Sequence, residues 1–448
     1  MSNIVISSHW TDGDIIPFIR IGQMLKKRGH AVRIFTHCFY EKMACEAGLE
    51  FTAWDTPQQY ISLIDDMSSY NENNAETEAI FEFRKKYENI NIRLEEFNKI
   101  RQFCKKKDTV ILAKNRSSIA AFMASELFEC PLISFFMNPY EMESMLSFNH
   151  LYGNLLKDEA NELRSYVGLP PIRSWLEWQS SPLIQLALWP SWFSGKTSEW
   201  PAHVKIIGFP LNSKQHSKES IPDSIIRILQ DESSPILITG GTSKQLRPDF
   251  YKKAIEACKI VGNKTILVTR YKEFLPEVLP TNITWFQYVP LDDILPYMGA
   301  VIHHGGIGTV SGAINAATPQ LALAYYVDRP LNARRVKNLG IGEYLPPLSW
   351  KPELIADKLK KILAPDYKDK CVDFTKEVPI ENALQEVCKI TESLAGKSEF
   401  AIKYKKNFSD TFLSNDGNLV QEINTPCLPQ KMSNELKEIL LRRKLSDS

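Results

Sequence analysis

The chain has 448 residues, 44% of them apolar and 24% charged. That is an ordinary globular balance, and the length suits two domains with a core in each. The 54 basic and 53 acidic residues leave a net charge of +1, so no bulk field favours nucleic acid or an anionic membrane. The 8 cysteines include no Cys-x-x-Cys pair, which argues against a zinc site or a disulfide framework. No apolar run is long enough to span a bilayer, and Met1-Ser2-Asn3 leads directly into a strand without a secretory leader. A cytoplasmic location is expected, with peripheral membrane contact left open.

Asn3 to Ser7 is a β-branched run and reads as a strand, followed by the loop Ser8 to Asp14. A helix from about Pro17 to Arg28 has proline near its first turn and Gly29 just past its end. Ala31 to Thr36 is the next strand, so the chain opens with a βαβ unit and predicts a mostly parallel sheet. Glu76 to Lys107 is highly charged and helical in pattern, a layer outside that sheet. Val110 to Ala113 and Leu132 to Phe136 read as strands, with Ile119 to Phe128 the helix between them.

A boundary falls near Gly208-Phe209-Pro210, and the polar stretch that follows reads as a linker, 208–222. The second half restarts the alternation. Pro235 to Thr239 is a strand ending in Gly240-Gly241-Thr242, Pro248 to Val261 is a helix, and Thr265 to Thr269 and Ile283 to Phe286 are strands. Asp292 to Met298 is a helix. Two α/β domains result, 1–207 and 223–398, with a polar tail at 399–448. Within the tail, Ser433 to Leu445 reads as a capped amphipathic helix that folds back on the body or docks a partner protein.

Val301 to Gly342 carries the most chemistry. A strand (Val301, Ile302) meets His303 and His304, then the turn Gly305-Gly306-Ile307-Gly308-Thr309, then a helix of small residues. Such a turn lets backbone approach a ligand, and a helix N-terminus presents free N–H groups, a natural phosphate site. After Pro319, Leu321 to Tyr325 is a second apolar strand, whose loop ends at Asp328. Polar loops at the carboxyl ends of strands are where open α/β sheets bind ligands.

This segment resembles the nucleotide-sugar signature of family 1 glycosyltransferases, which include macrolide, glycopeptide and sterol glycosyltransferases. The matching residues are His303, Gly305, Gly306, Gly308, Thr309, Pro319, Gln320 and Asp328. Arg329 departs from the pattern, standing where the family has Gln. Weaker likeness extends over most of residues 1 to 395. The resemblance implies a GT-B fold, two Rossmann-like α/β domains with parallel sheets facing across a cleft. The first domain would bind the acceptor and the second the donor.

The resemblance also implies an inverting transfer from a UDP- or dTDP-linked sugar to a hydroxyl of a small, lipophilic acceptor, with no metal or cofactor. His303 and the Gly308 and Thr309 N–H groups would stabilise the diphosphate, with Gly305 and Gly306 allowing close approach. Thr242 would be a second phosphate contact, the backbone of Tyr288-Val289-Pro290 would read the base, and Asp328 would bond sugar hydroxyls. Arg329 offers only donors and a fixed charge, so a donor unlike the usual glucose is expected, an acidic sugar or a pentose. His304 alone carries little weight, since adjacent histidines at a strand end are often structural.

For the general base, the family pattern of Gly-Asp followed by Pro selects Asp14, in Gly13-Asp14-Ile15-Ile16-Pro17. His9 is in reserve, and a surface carboxylate without a role is the plain alternative. Asp12-Gly13-Asp14 also spells a metal-binding Asp-x-Asp, discounted because the Gly-rich signature already offers a metal-free site. Trp10, Phe136, Tyr140 and Met142 are the acceptor candidates, with plain core packing as their alternative. A dehydrogenase would need Gly-x-Gly-x-x-Gly in the first loop and a P-loop enzyme Gly-Lys-Ser or Gly-Lys-Thr after a Gly-rich run; neither arrangement occurs. A sugar-nucleotide epimerase and a non-catalytic GT-B binding protein remain as rivals.

Overall fold

In a computed structural model, residues 2–72, 77–104, 108–201, 203–211, 221–230, 234–242, 244, 246–378 and 382–403 are described. The N-terminal half runs β1 (Asn3–Ser7), α1 (Asp12–Lys27), β2 (Ala31–Thr36), α2 (Glu41–Glu46), β3 (Glu50–Ala53) and α3 (Pro57–Glu72). Then come α4 (Thr77–Tyr87), α5 (Ile90–Arg101), β4 (Thr109–Lys114), α6 (Ile119–Phe128) and β5 (Leu132–Phe136). It closes with α7 (Pro139–Glu143), α8 (Met145–Tyr166), α9 (Trp175–Gln179), β6 (Ile184–Ala187) and β7 (Val204–Ile206). These seven strands form one parallel sheet in the order β3-β2-β1-β4-β5-β6-β7.

The C-terminal half has α10 (Asp223–Leu229), β8 (Ile236–Thr239), α11 (Phe250–Val261), β9 (Thr265–Val268), β10 (Ile283–Phe286) and α12 (Leu291–Ile294). It continues through β11 (Ala300–His303), α13 (Ile307–Asn315), β12 (Gln320–Leu323), α14 (Arg329–Asn338) and β13 (Gly342–Leu345). Helices α15 (Pro352–Ile362), α16 (Pro365–Glu377) and α17 (Ala383–Leu394) finish it. Its six parallel strands are ordered β10-β9-β8-β11-β12-β13. This is the GT-B arrangement of two Rossmann-like domains.

The strand residues explain the sheets. TVILAK, LISFF and ILIT are buried along their whole length, as strands covered by helices on both faces must be. Each sheet reverses its winding once, between β1 and β4 in the first and between β8 and β11 in the second. Crevices open outside the carboxyl ends of the strands at such switch points.

Three boundaries differ from the sequence expectation. Helix α1 starts at Asp12, not near Pro17, because Thr11 and Asp14 form a capping box, with the Thr11 N–H and hydroxyl each 3.4 Å from Asp14 Oδ2. Asp14 therefore sits in a helical first turn rather than a free loop. Helix α17, counted with the second domain, packs on the first: Leu384, Val387, Cys388 and Leu394 share a core with Ile15, Phe18 and Leu25. Residues 399–403 are not a polar tail either, since Ile402 is buried against α5 and α6 and its N–H donates to Ser125 Oγ at 3.1 Å. The amphipathic helix expected at 433–445 lies outside the described residues.

Leu384→Ala should cost about 2–5 kcal/mol, the usual range for truncating a buried leucine. Urea unfolding would measure the loss, and an unchanged midpoint would mean α17 does not brace the first domain.

Candidate active site

The loops at the two switch points supply the site. In the C-terminal half, β8 runs into Gly240-Gly241-Thr242 and β11 into His304-Gly305-Gly306. The His304 imidazole lies between these turns: a methyl on Gly241 would stand 2.5 Å from its Cε1, and one on Gly306 would collide with its Nε2. Both glycines are therefore required by close approach. Gly305, at φ +91°, would drive a Cβ to 2.8 Å from the Arg329 carbonyl oxygen. Asn332, fully buried on α14, donates to the Gly305 carbonyl at 3.1 Å and to Asp328 Oδ2 at 2.8 Å, tying the glycine turn to the loop after β12.

The two histidines have separate jobs. His303 faces inward. Its Nδ1 accepts the Gly305 N–H at 3.0 Å, so its Nε2 carries the proton and donates to Gln320 Oε1 at 3.1 Å. Burial holds this imidazole neutral, pushing its pKa down to about 4. His304 has a buried Nδ1 with no hydrogen-bond partner among the described residues. Burial and the neighbouring Arg329 guanidinium hold its pKa well below the ordinary histidine value. Helix α13 begins beside it, with Gly306 as N-cap and no side chain capping its first N–H groups. Those donors are unspent.

The loop that carries Asp328 is strained, with Tyr326 at φ +76° and Val327 at φ +55°. Burial raises the Asp328 carboxyl, Arg329 opposes that, and the facing Asp14 carboxylate adds to it. Asp14 and Asp328 thus interact electrostatically between the two domains. Further contacts bridge it: Arg20 to Asp292 at 2.5 Å, Arg270 to Asp12 at 3.3 Å, Lys244 to Asp65 at 2.6 Å, and Arg335 to Glu143.

In the first domain, Asp14 is anchored by Lys114, which stands at the end of β4 and is 6% exposed. Its Nζ lies 2.6 Å from Asp14 Oδ1 and 3.8 Å from Glu141 Oε1 on α7. Asp14 Oδ2 keeps only the two long capping contacts. Asp12 is committed elsewhere, accepting from Tyr40 Oη at 2.6 Å and pairing with Arg270. His9 is buried, stacked on Trp54 at 5.3 Å, with Nε2 at 2.9 Å from Glu96. Among the described residues no group of three or more His, Cys, Asp or Glu is arranged to hold a metal. No described helix is long and apolar enough to cross a membrane.

Comparison with known proteins bears on this geometry. Residues 262–394 match the family described as erythromycin biosynthesis protein CIII-like, C-terminal domain. In sequence and fold the chain is similar to GT-B, family 1 glycosyltransferases. A sterol 3-beta-glucosyltransferase of Pichia angusta is 23% identical over 386 residues, 78% of this chain. The chain spans only 30% of that relative's length. The glycotransferase of kitacinnamycin superposes with a TM-score of 0.67 at 15% identity, covering 88% of this chain and 99% of that one. Glycosyltransferase VinC, solved in complex with dTDP, gives 0.63 at 18% identity, covering 88% and 99%. At such identities the structures establish the fold.

Within this GT-B frame the expected residues divide. Gly305, Gly306, Gly308, Thr309, Thr242, Asp328 and Arg329 lie on the two Gly-rich turns and the loop after β12, at the carboxyl ends of adjoining strands. Val289 has its side chain in the core, leaving only its backbone for a ligand, while Tyr288 beside it is 63% exposed. Trp10, at φ +90°, and Tyr140 are partly exposed. Phe136 and Met142 are not acceptor-facing. Both are buried in the core shared by the two domains, with Trp189 and Phe193. His303 does not reach the cleft either, because both ring nitrogens are spent inside the fold.

Sequence reasoning named His304 but gave it little weight, and passed over Lys114, Glu141 and Asn332. For Lys114, a lysine closing an otherwise apolar strand, in TVILAK, was the visible signal.

His303→Ala should behave as a stability variant. It leaves Gln320 Oε1 and the Gly305 N–H unpartnered in a dry interior, at about 1–3 kcal/mol for such groups. Thermal unfolding measures this, and an unchanged melting temperature would remove the internal role.

Proposed function

We propose that the protein is an inverting glycosyltransferase that moves a sugar from a UDP- or dTDP-linked donor to a hydroxyl of a small acceptor without a metal. The observation that carries this is the His304 imidazole set between two Gly-rich turns at the second sheet's switch point, with the Lys114-anchored Asp14 carboxylate at the switch point of the first. The charge that develops on the departing diphosphate meets unspent helix N–H groups of α13, a neutral imidazole able to donate, and the Arg329 guanidinium. His304 takes the phosphate role first given to His303. Tyr288 offers its exposed ring to the nucleobase, and Asp328 accepts from sugar hydroxyls.

On the other side Asp14 removes the proton of the attacking hydroxyl. Its Oδ2 is the oxygen for that step, since Oδ1 belongs to Lys114. The acceptor lies along Trp10, Phe83 and Tyr87, whose rings adjoin (Trp10 to Phe83, 5.9 Å; Phe83 to Tyr87, 4.9 Å), and toward Phe148 and Tyr152 on α8. Aromatic walls of this kind suit a lipophilic natural product or sterol-like acceptor. The names of the matched family and relatives, erythromycin biosynthesis and sterol glucosylation, point the same way.

His304→Ala should weaken UDP or dTDP binding roughly 10- to 100-fold, the worth of one hydrogen bond to a charged group, with little change in melting temperature. Calorimetry with each nucleotide reads it, and wild-type affinity in the variant would return the phosphate contact to the backbone alone.

A panel of nucleotide sugars and hydroxylated acceptors, run in chelator and read by mass spectrometry, tests the transfer itself. Product is expected without metal. Asp14→Asn should lower turnover by roughly 100- to 10,000-fold, as for a positioned general base, and leave nucleotide affinity intact. Activity that needs added magnesium would contradict the metal-free site, and donor binding with no transfer to any acceptor would favour a binding protein.

A further inference from the structure

We infer that Lys114 and Glu141 form, with Asp14, a buried charge triad that sets the basicity of Asp14, Lys114 being a positioning residue and Glu141 its second counterion. The inference rests on Asp14 being the base, as proposed above. Lys114 occupies the first sheet's switch point, where β4 lies beside β1 with Ala113 level with Ser7. Its ammonium is buried and has two carboxylates in reach, at 2.6 Å and 3.8 Å. Glu141 is fixed independently, because its Oε2 accepts the Met137 N–H at 2.7 Å. Only one end of the triad, Asp14 Oδ2, is left without a cation or strong donor.

The charge count decides what this arrangement does. A lone Lys114–Asp14 pair would be neutral, and protonating Asp14 would strand a buried ammonium, an expensive state. With Glu141 present the cluster carries one net negative charge before the reaction. When the acceptor O–H bond breaks and its oxygen bonds the anomeric carbon, the proton settles on Asp14 Oδ2. The electron pair of the broken anomeric C–O bond leaves with the nucleoside diphosphate. Lys114 then keeps Glu141 as its carboxylate partner, which it shares with Arg116. Burial already pushes the Glu141 carboxyl up, against the pull of Lys114 and Arg116, so Glu141 is a carboxylate that gains from a full ammonium partner.

Other charged groups surround the triad. Arg116 donates to the Glu141 carbonyl oxygen at 2.6 Å, and Asp328 of the second domain, itself beside Arg329, interacts electrostatically with Asp14. Tyr140 neighbours Glu141 in sequence and acts on Arg116.

The signs give the test. Removing the Glu141 charge leaves Asp14 with more net positive surroundings, so its carboxyl signal, followed by NMR on protein labelled at aspartate and assigned with Asp14→Asn, titrates at lower pH. Removing the Lys114 charge moves it to higher pH. We expect shifts of about one pH unit or more in opposite directions for Glu141→Gln and Lys114→Met, with Lys114→Arg near the wild type. The acid limb of the pH–rate profile should move with them. Titration unmoved in Glu141→Gln overturns the triad, even if Lys114→Met fails to fold, because Glu141→Gln and Lys114→Arg keep the buried cation. Shifts as expected combined with normal transfer by Asp14→Asn would instead overturn the base assignment and leave the coupling standing.

Discussion

Both faces of each sheet are covered by helices, and nearly everything else follows from that constraint. Strands such as ILIT and LISFF are dry along their length, so no polar chemistry fits on either face. It is confined to the strand ends, and among those to the switch points where adjacent connections part. The chain places its glycines and its buried charges there. Gly241 and Gly306 make room for the His304 ring and Gly305 for the Arg329 carbonyl at one switch point, and Lys114 closes β4 at the other. The two sheets are then docked with these ends facing, which brings Asp14 within electrostatic reach of Asp328.

The docking has two physically different parts. At the back, one apolar core runs from Phe136, Trp189, Phe193 and Phe209 of the first half into Ile236, Phe250 and Ile302 of the second. Trp192 adds an edge contact with Phe374 at 5.3 Å. At the mouth the contacts are ion pairs such as Arg20–Asp292 and Lys244–Asp65, with side chains from 21% to 51% exposed. Pairs that wet are each worth about 0–1 kcal/mol and are screened by salt. The hydrophobic hinge is therefore the durable element and the ionic rim the yielding one, a distribution suited to a cleft that must admit two substrates.

Much of the fold was legible because periodicity and β-branched runs report burial directly. Asn3–Ser7, Ala31–Thr36, Ile119–Phe128 and Ile283–Phe286 came out at their structural bounds. The start of α1 did not, since a proline at 17 draws the eye and the Thr11–Asp14 capping box is quieter. The placement of α17 was out of reach for a different reason: an amphipathic helix announces that it has an apolar face but not which domain that face covers. Phe136 and Met142 failed in the same way. A large apolar residue after a strand looks alike whether it lines a cleft or fills a core.

What the sequence left open about the candidate site has one cause. A motif fixes which residues crowd a turn but not how each side chain is turned, and His303 and His304, one bond apart along the chain, point to opposite fates. As the last residue of β11, His303 has its ring drawn into the sheet by Gln320 on β12. His304 has left the sheet and meets two glycines that leave it room. The same logic separates Asp12 from Asp14 two residues on: the helix turn sends one toward Tyr40 and Arg270 and the other toward Lys114. Adjacent acids that spell a metal motif are split by backbone geometry into an interdomain tether and a partner of a buried lysine. Sequence can name such pairs, while the sorting between them is done by the first turn of a helix and the last residue of a strand.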